Sequence, residues 1–517
     1  MPELTFYGGV GEIGGNKILL EDGDTRVFLD FGMSFGRVNT FYDKFMRPRS
    51  KGGLRDLLGM GLVPPLNGIY RGDLLHVEGI EEAIEELGIE ERSYWASGLK
   101  SYGEILERDG SPWLDGVLLT HAHLDHCQYI TLLDPRVPIY CSETTRRILE
   151  VADEIGKSDF LEVKPLEVDQ FMKGMFPGTP RIKGGDEVTR EFRTFRPGDK
   201  FEVEGLQVET FAVDHSVPGC VAFRITTSDG KRIVYTGDFR FHGRHADSTR
   251  RFSGAVRGTE PDALICEGTH IESTEPDSEA QVERECTDMI SGARGLVAVE
   301  FAWKDLTRFE TVRRAARETG RKFAISARTA YLLNKLGRGK EVEDDPNVLV
   351  YVPRKDSMIY APGDYTKSKY ALGYSSDWGA DRDIHHLEGG VRAYQIAEDP
   401  SRWVLHLGYF EFNELLDIQP PEGGLFISAS SEPYDEEGTI LEEKRKAWLE
   451  RFRFNLPNFD LPHVHASGHA CGPELKKFVG DVKPRVLFPI HTEHPELFEG
   501  LAEKVHERIE PGKAYGI

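Results

Sequence analysis

LLTHAHLDHCQ, residues 118–128, packs His121, His123, Asp125 and His126 into six positions directly after the apolar run Gly116-Val-Leu-Leu. A buried strand that ends in three imidazoles and a carboxylate is set up to hold metal ions at the lip of a sheet. Neutral imidazole and carboxylate are the ligands that Zn²⁺ takes in open, catalytic sites. A histidine-rich surface turn is the ordinary reading of a lone His pair. Three His and one Asp at i, i+2, i+4 and i+5 go well beyond it.

Working outward, the same arrangement recurs. In FEVEGLQVETFAVDHSVPGCVAFRI, alternating apolar residues mark strands on either side of Asp214-His215-Ser216. KRIVYTGDFR is a buried strand whose end presents Asp238 and Arg240, DALICEGTHIE delivers Glu267, and VLFPIH delivers His491. At the N-terminus LTFYG, NKILL and RVFLDFG read as strands, the last ending at Asp30, a carboxylate suited to orienting a metal ligand. The intervening GGVGEIGGN lacks the spacing of a phosphate-binding loop and reads as a tight turn bringing backbone close to the site. SGHA, residues 467–470, sits ahead of a helix, which puts His469 at a helix N-terminus, where phosphate is favoured.

From about residue 279 the texture changes. GLVAVEF, the amphipathic KDLTRFETVRRAARETG and then KFAIS form a strand–helix–strand unit, and GGLFISASSEP is a further apolar strand. These units predict a second domain with a parallel sheet. Residues 36–112 read as irregular apart from one helical segment, VEGIEEAIEELGI. The basic run FMRPRSKGGLR (Arg47, Arg49, Lys51, Arg55) is by default a solvated loop, with a substrate-backbone contact as the sharper alternative. Segment 354–385 has no periodicity and reads as loop or lid, and His385 and His386 as surface residues.

The 517 residues are too many for one core, so two or three domains are expected. With 39% hydrophobic and 29% charged residues the composition is that of an ordinary globular protein. MPELTFYGGVGEIGG is not a signal peptide, and no apolar run approaches the roughly 20 residues a membrane span needs. The six cysteines form no CxxC pair, which predicts reduced thiols and a cytoplasmic location. A net charge of −23 counts against a nucleic-acid binder, although a bound metal pair is itself a strong local positive centre.

HxHxDH, DHSVPG, YTGDFR, the Glu after the next strand, SGHA and PIHTE occur in that order from Gly8 to His491. Together they resemble a metallo-β-lactamase-fold hydrolase of the β-CASP nuclease group, most like ribonuclease J. The resemblance implies an α/β fold: a metallo-β-lactamase αββα sandwich over residues 1–278 and 473–517, with an inserted β-CASP domain, a parallel sheet flanked by helices, over 279–472. It implies two Zn²⁺ ions, one on His121, His123 and His215, the other on Asp125, His126 and His491, with Asp238 bridging; Mn²⁺ fits the same donors. Asp30 and Glu267 match acids that support the ligands. His469 matches a histidine that contacts the scissile phosphate and assists catalysis, and Ser467 a phosphate contact. His491 at the PIHTE position matches the RNA-directed members.

The implied activity is hydrolysis of single-stranded RNA, from the 5′ end, internally, or both, with a homodimer compatible and no membrane partner. Asp125, Asp238 and His469 carry the chemistry: two metals acidify a shared water, and His469 donates to phosphate or leaving oxygen. Arg240, read as a surface residue after its strand, is a further phosphate contact. DNA or a small phosphodiester, thioester or lactam is the rival substrate class, and a non-catalytic scaffold the rival role. The sequence departs from the family in a longer insertion before HxHxDH, in ending soon after PIHTE, and in having Glu267 where bacterial ribonuclease J has Asp.

Overall fold

The computed structural model describes residues 1–43, 45–86, 97–156, 158–169, 181–274, 278–354, 389–430, 436–456 and 464–517. Three antiparallel strands open the chain, Glu3–Gly8, Lys17–Asp22 and Thr25–Phe31. Side chains alternate across a strand, so Leu4, Phe6, Ile18, Leu20, Val27 and Leu29 share one buried cluster, while Leu19, Phe28 and Phe31 join another. Gly116–Leu118, Ile139–Ser142 and Phe192–Phe195 extend this sheet in parallel, and Ala514–Gly516 closes its other edge to give seven strands.

A second seven-stranded sheet runs Lys200–Val203, Leu206–Ala212, Val221–Thr226, Arg232–Tyr235, Ala263–Glu267, Val486–Ile490, Lys504–Val505. The two sheets meet face to face: Val208, Val221, Phe223, Ile225, Ile233, Ile265 and Phe488 join Leu4, Phe6 and Ile18 in a single core. Helices cover the outer faces. Ile148 and Leu149 of helix Glu143–Gly156 share a cluster with Val117 and Ile139, and Phe252 of helix Ala246–Val256 packs at a tilt against both Phe211 and Phe478. This is the αββα sandwich the motifs imply.

Ala263–Glu267 pairs in parallel with Val486–Ile490, so the chain between them leaves the sheet and returns beside its own exit. That excursion contains a five-stranded, all-parallel sheet in the order Val348–Val350, Lys322–Ile325, Trp403–His406, Val297–Glu300, Leu425–Ser428. Parallel strands joined through helices are covered on both faces and read as continuous apolar runs. Accordingly Val297, Val299, Phe323 and Ile325 pack with Phe309 and Val312 of helix Leu306–Glu318, and Ala298, Ala324, Leu405 and Phe426 with Leu415 and Ile418.

The expectation for residues 36–112 needs correction. Besides Ile80–Glu86, short helices occupy Phe35–Asn39, Gly53–Gly59, Gly72–Leu75 and Tyr102–Asp109. They are too short to show a hydrophobic period, and caps hold two of them. The Ser34 side chain accepts from Arg37 N, and Ser101 and Glu104 form a reciprocal capping box ahead of Gly110 at φ 73°. Arg47, Arg49 and Lys51 are exposed, and Arg49 pairs with Asp56 at 3.3 Å, as a solvated loop would. Of the proposed lid, 354–385, all but Arg354 lies outside the described residues, as do His385 and His386. All six cysteines are buried free thiols.

Candidate metal centre

The site forms where strand ends of both sheets converge. His121 and His123 follow Gly116–Leu118, and His123 caps the short helix Leu124–Cys127 that carries Asp125 and His126. The glycine-rich loop is pressed against this helix. Gly15 N and Asn16 N both donate to Asp125 O, at 3.0 and 3.1 Å. A Cβ on Gly32 would lie 1.7 Å from that same oxygen, and one on Gly14 (φ 75°) 2.6 Å from Asp125 Oδ2. Buried Lys17 ties the loop down, its Nζ donating to Gly15 O at 2.7 Å and Gly32 O at 2.9 Å.

Two sets of ligand atoms result, each lying within 4.8 Å of one another: His121, His123, His215 with Asp238, and Asp125, His126, His491 with Asp238. In the first, His121 Nε2 and His215 Nε2 lie 3.1 and 3.0 Å from His123 Nδ1, and 3.6 and 3.7 Å from Asp238 Oδ2. In the second, His126 Nε2 and His491 Nε2 lie 3.1 and 3.7 Å from Asp238 Oδ2, and 3.7 and 3.1 Å from Asp125 Oδ2. Asp238 Oδ2 is common to both. Tetrahedral ligands about 2.0–2.1 Å from a Zn²⁺ ion stand roughly 3.3 Å apart, and the observed spacings bracket that value.

The outward-facing imidazole nitrogens fix the tautomers. His215 Nδ1–H donates to Gly468 O at 2.6 Å, and His126 Nδ1–H to Asp30 Oδ2 at 2.7 Å. His121 Nδ1 meets Thr120 Oγ1 at 2.9 Å, whose hydroxyl is donated to Asp30, and His491 Nδ1 meets Thr269 Oγ1 at 2.8 Å. Each assignment turns an Nε2 lone pair inward. Facing lone pairs and carboxylates repel unless a cation or protons lie between them. Consistent with this, the buried atoms His126 Nε2 and Asp238 Oδ1 lack a hydrogen-bond partner among the described residues; the 3.1 Å approach of His126 Nε2 to Asp238 is electrostatic, without hydrogen-bond geometry. The residues present therefore fit divalent cations.

Electrostatics separates the two sets. Burial, with repulsion from neighbouring imidazoles, holds His121 and His215 well below the usual histidine range, and burial brings His123 down to about 4. Burial opposes charge on His126 too, but Asp238, Asp125 and Asp30 overcome it and raise its pKa well above normal. Burial would raise the carboxyls of Asp125 and Asp238, yet His126 and His491 pull both below the usual range.

Asp30, fully buried, accepts from Thr120 N at 2.7 Å and Tyr235 Oη at 2.6 Å as well as from His126. Asp30 and His491 both hold left-handed backbone, φ 57° and 53°, which costs a non-glycine residue roughly 1–3 kcal/mol and recurs where side chains are aimed at a site. Glu267, also fully buried, accepts from Phe239 N and Thr269 N and lies 3.3 Å from His469 Nδ1. The His469 ring stands 4.9 Å from that of His215 and 5.3 Å from that of His491, between the two sets. Burial works against its protonation, but Glu267 and Asp238 raise its pKa to about 9. Ser467 Oγ accepts from His469 N at 3.1 Å.

Two expectations change. His469 lies two residues ahead of Cys471, the cap of helix Gly472–Val482, and so outside its first turn. Arg240 is not a surface residue: it is 1% exposed and its guanidinium reaches Asp214 and Glu279, each at 3.4 Å, and Ser467 O at 3.0 Å. Glu279 also pairs with buried Arg308 at 3.1 Å, which makes an Arg–Glu–Arg bridge from the sandwich into the inserted unit. Arg240 thus shapes the SGHA loop from behind and has no free face for phosphate. Thr120, Thr269, Tyr235 and Lys17 were missed. Each sits inside a quoted motif or strand, but nothing in residue type or spacing marks a hydroxyl or ammonium that orients a ligand.

Sandwich, insertion and paired ligand sets define a metallo-β-lactamase-fold protein with a β-CASP-type insertion. Residues 102–289 match the β-lactamase superfamily domain, and residues 461–512 the Zn-dependent metallo-hydrolase RNA specificity domain. Among curated relatives, the chain is 26% identical to ribonuclease J of Thermus thermophilus over 75% of its own length and 60% of that protein's. It is 24% identical to ribonuclease J of Sinorhizobium meliloti over 74% and 58%, and 23% identical to that of Mycolicibacterium smegmatis over 94% and 68%. The chain is thus similar to ribonuclease J, and it spans about three-fifths of the length of the first two relatives. A crystal structure of a protein of unknown function from Enterococcus faecalis shares the fold over the full length of both chains, with TM-score 0.67 and 22% identity. No helix among the described residues is long and apolar enough to cross a membrane.

Proposed function

We propose that this chain is a metal-dependent ribonuclease that hydrolyses phosphodiester bonds of single-stranded RNA. The observation that carries the reading is the pair of ligand sets sharing Asp238 Oδ2, beside a segment that matches an RNA specificity domain. His121, His123 and His215 would hold one Zn²⁺ and Asp125, His126 and His491 the other, with Asp238 between them; Mn²⁺ suits the same donors. Bound there, divalent ions supply Lewis acidity that acidifies water and neutralises charge on a phosphoryl oxygen.

The chain's own groups do the rest. Asp30 and Thr120 hold His126 and His121 in the tautomer that turns Nε2 inward, and Thr269 does so for His491. His469, kept protonated by Glu267, donates to the scissile phosphate or to the leaving oxygen. Ser467 holds the backbone of the SGHA turn through His469 N and presents its hydroxyl beside it.

The test is a time course on 5′-labelled and 3′-labelled single-stranded RNA, with the same sequence in DNA. Prompt mononucleotide from the 5′ label means 5′-exonuclease action, and internal fragments mean endonuclease action. Asp238→Asn, which removes the shared ligand, should lower metal content from two ions to one or fewer and abolish cleavage. If metal-loaded wild type cuts neither strand, the ribonuclease reading fails and a small phosphodiester substrate takes its place.

A further inference from the structure

An acidic chain that handles RNA needs local cations, and the obvious arginines near the site are already committed. Arg240 and Arg308 are buried on Glu279 and on backbone carbonyls. Lys304 is different. It lies on the loop that follows the strand Val297–Glu300, at the carboxyl end of the inserted parallel sheet, where open α/β sheets bind ligands. The half-buried side chain crosses from the inserted unit to the sandwich, and Nζ donates to Ala122 O at 3.2 Å. Ala122 is the residue between His121 and His123. An ammonium has three donors, and among the described residues this is the one hydrogen bond the Lys304 side chain makes, with no carboxylate in ion-pair range. Its Nζ also stands 5.4 Å from the centroid of the half-buried Trp303 ring.

A half-buried cation without an anion, next to ligand-bearing backbone, is poised for an anion that arrives with the substrate. We infer that Lys304 contacts a phosphate of the bound RNA strand next to the metal centre, with Trp303 beside it as a stacking face for a nucleobase. This rests on the ribonuclease reading above. It assigns the inserted unit a direct share in substrate binding: a cation for the backbone and a ring for a base, the pairing that single-stranded nucleic acid favours.

The experiment measures RNA cleavage and salt-dependent RNA binding for wild type, Lys304→Met, Lys304→Arg and Trp303→Ala, with bound metal counted in each. Lys304→Met should raise KM roughly tenfold, keep the full metal content, and flatten the slope of log binding constant against log salt by about 0.7, the share of one phosphate contact on a single strand. Lys304→Arg should restore the slope, since it keeps the charge. Trp303→Ala should weaken binding while leaving the salt slope intact. An unchanged slope and KM in Lys304→Met overturns the inference. Loss of metal in Lys304→Met also overturns it, because the lysine would then serve only to brace the Ala122 carbonyl. If wild type binds no RNA, the ribonuclease reading falls first and is recognised by that separate result.

Discussion

Acidifying the solution should weaken the two ion sites unequally. At neutral pH the set built on His121, His123 and His215 is already free of protons, since burial holds all three pKa values low, His123 at about 4. The other set is not, because Asp238, Asp125 and Asp30 raise His126 well above the normal range and it keeps a proton that an incoming ion must displace. Displacing one proton makes affinity rise tenfold per pH unit, or about 1.4 kcal/mol, as long as the pH stays below the histidine's pKa. Between pH 6 and 8 the second site should therefore strengthen up to ~100-fold while the first stays nearly constant. Stepwise Mn²⁺ titration by calorimetry at pH 6, 7 and 8, in buffers of different ionisation heat, reads both slopes and the protons released. His126→Gln should remove the steep step and leave the flat one. Two steps of equal slope, or a steep step that persists without His126, would refute the electrostatic separation of the two sets.

Asp30→Asn keeps the shape but removes the carboxylate that holds His126 Nδ1–H, so affinity at the second site should fall 10–100-fold, read by competition with a chelator. Gly32→Ala drives a methyl into the Asp125 carbonyl, a backbone contact that cannot rotate away; a loss of more than about 4 kcal/mol in denaturant unfolding, or failure to hold metal, is expected. Arg240→Met leaves Asp214 without its buried partner and breaks the bridge through Glu279 to Arg308, which should destabilise the protein by about 3–5 kcal/mol in the same assay. An unchanged unfolding midpoint would show that Arg240 holds nothing together.

How much of this could be read from the sequence differs by kind of interaction. The candidate ligands were legible because most are histidines, a sparse type in this chain, clustered just past apolar strands, and a strand end is a fixed place in space. The inserted sheet was legible for a related reason, since strands covered on both faces leave unbroken apolar runs such as LVAV and LFIS. The hydroxyls of Thr120 and Thr269 were not legible, because a threonine that orients an imidazole looks like any other threonine in or near a strand. Arg240 misled for the opposite reason. A charged residue just past a strand is usually exposed, but this one finds Asp214 and Glu279 waiting, and only tertiary contact reveals that. The helices at 35–39, 53–59 and 72–75 are each two turns or fewer, too brief for a periodic signal to build up.

The return of the chain beside its own exit, with Val486–Ile490 laid against Ala263–Glu267, has a consequence for synthesis. Once residue 238 has emerged from a ribosome, all four members of the first set exist, whereas the second lacks His491 until residue 491 has been made. At ordinary rates of elongation the interval is tens of seconds, during which the second sheet has an open edge and the inserted unit must fold within it. Even the first set is unfinished then, because Gly468 O, which orients His215, arrives only with the closing segment. Assembled in this order, the paired site stays incomplete on the nascent chain until the strand Val486–Ile490 and His491 behind it are in place.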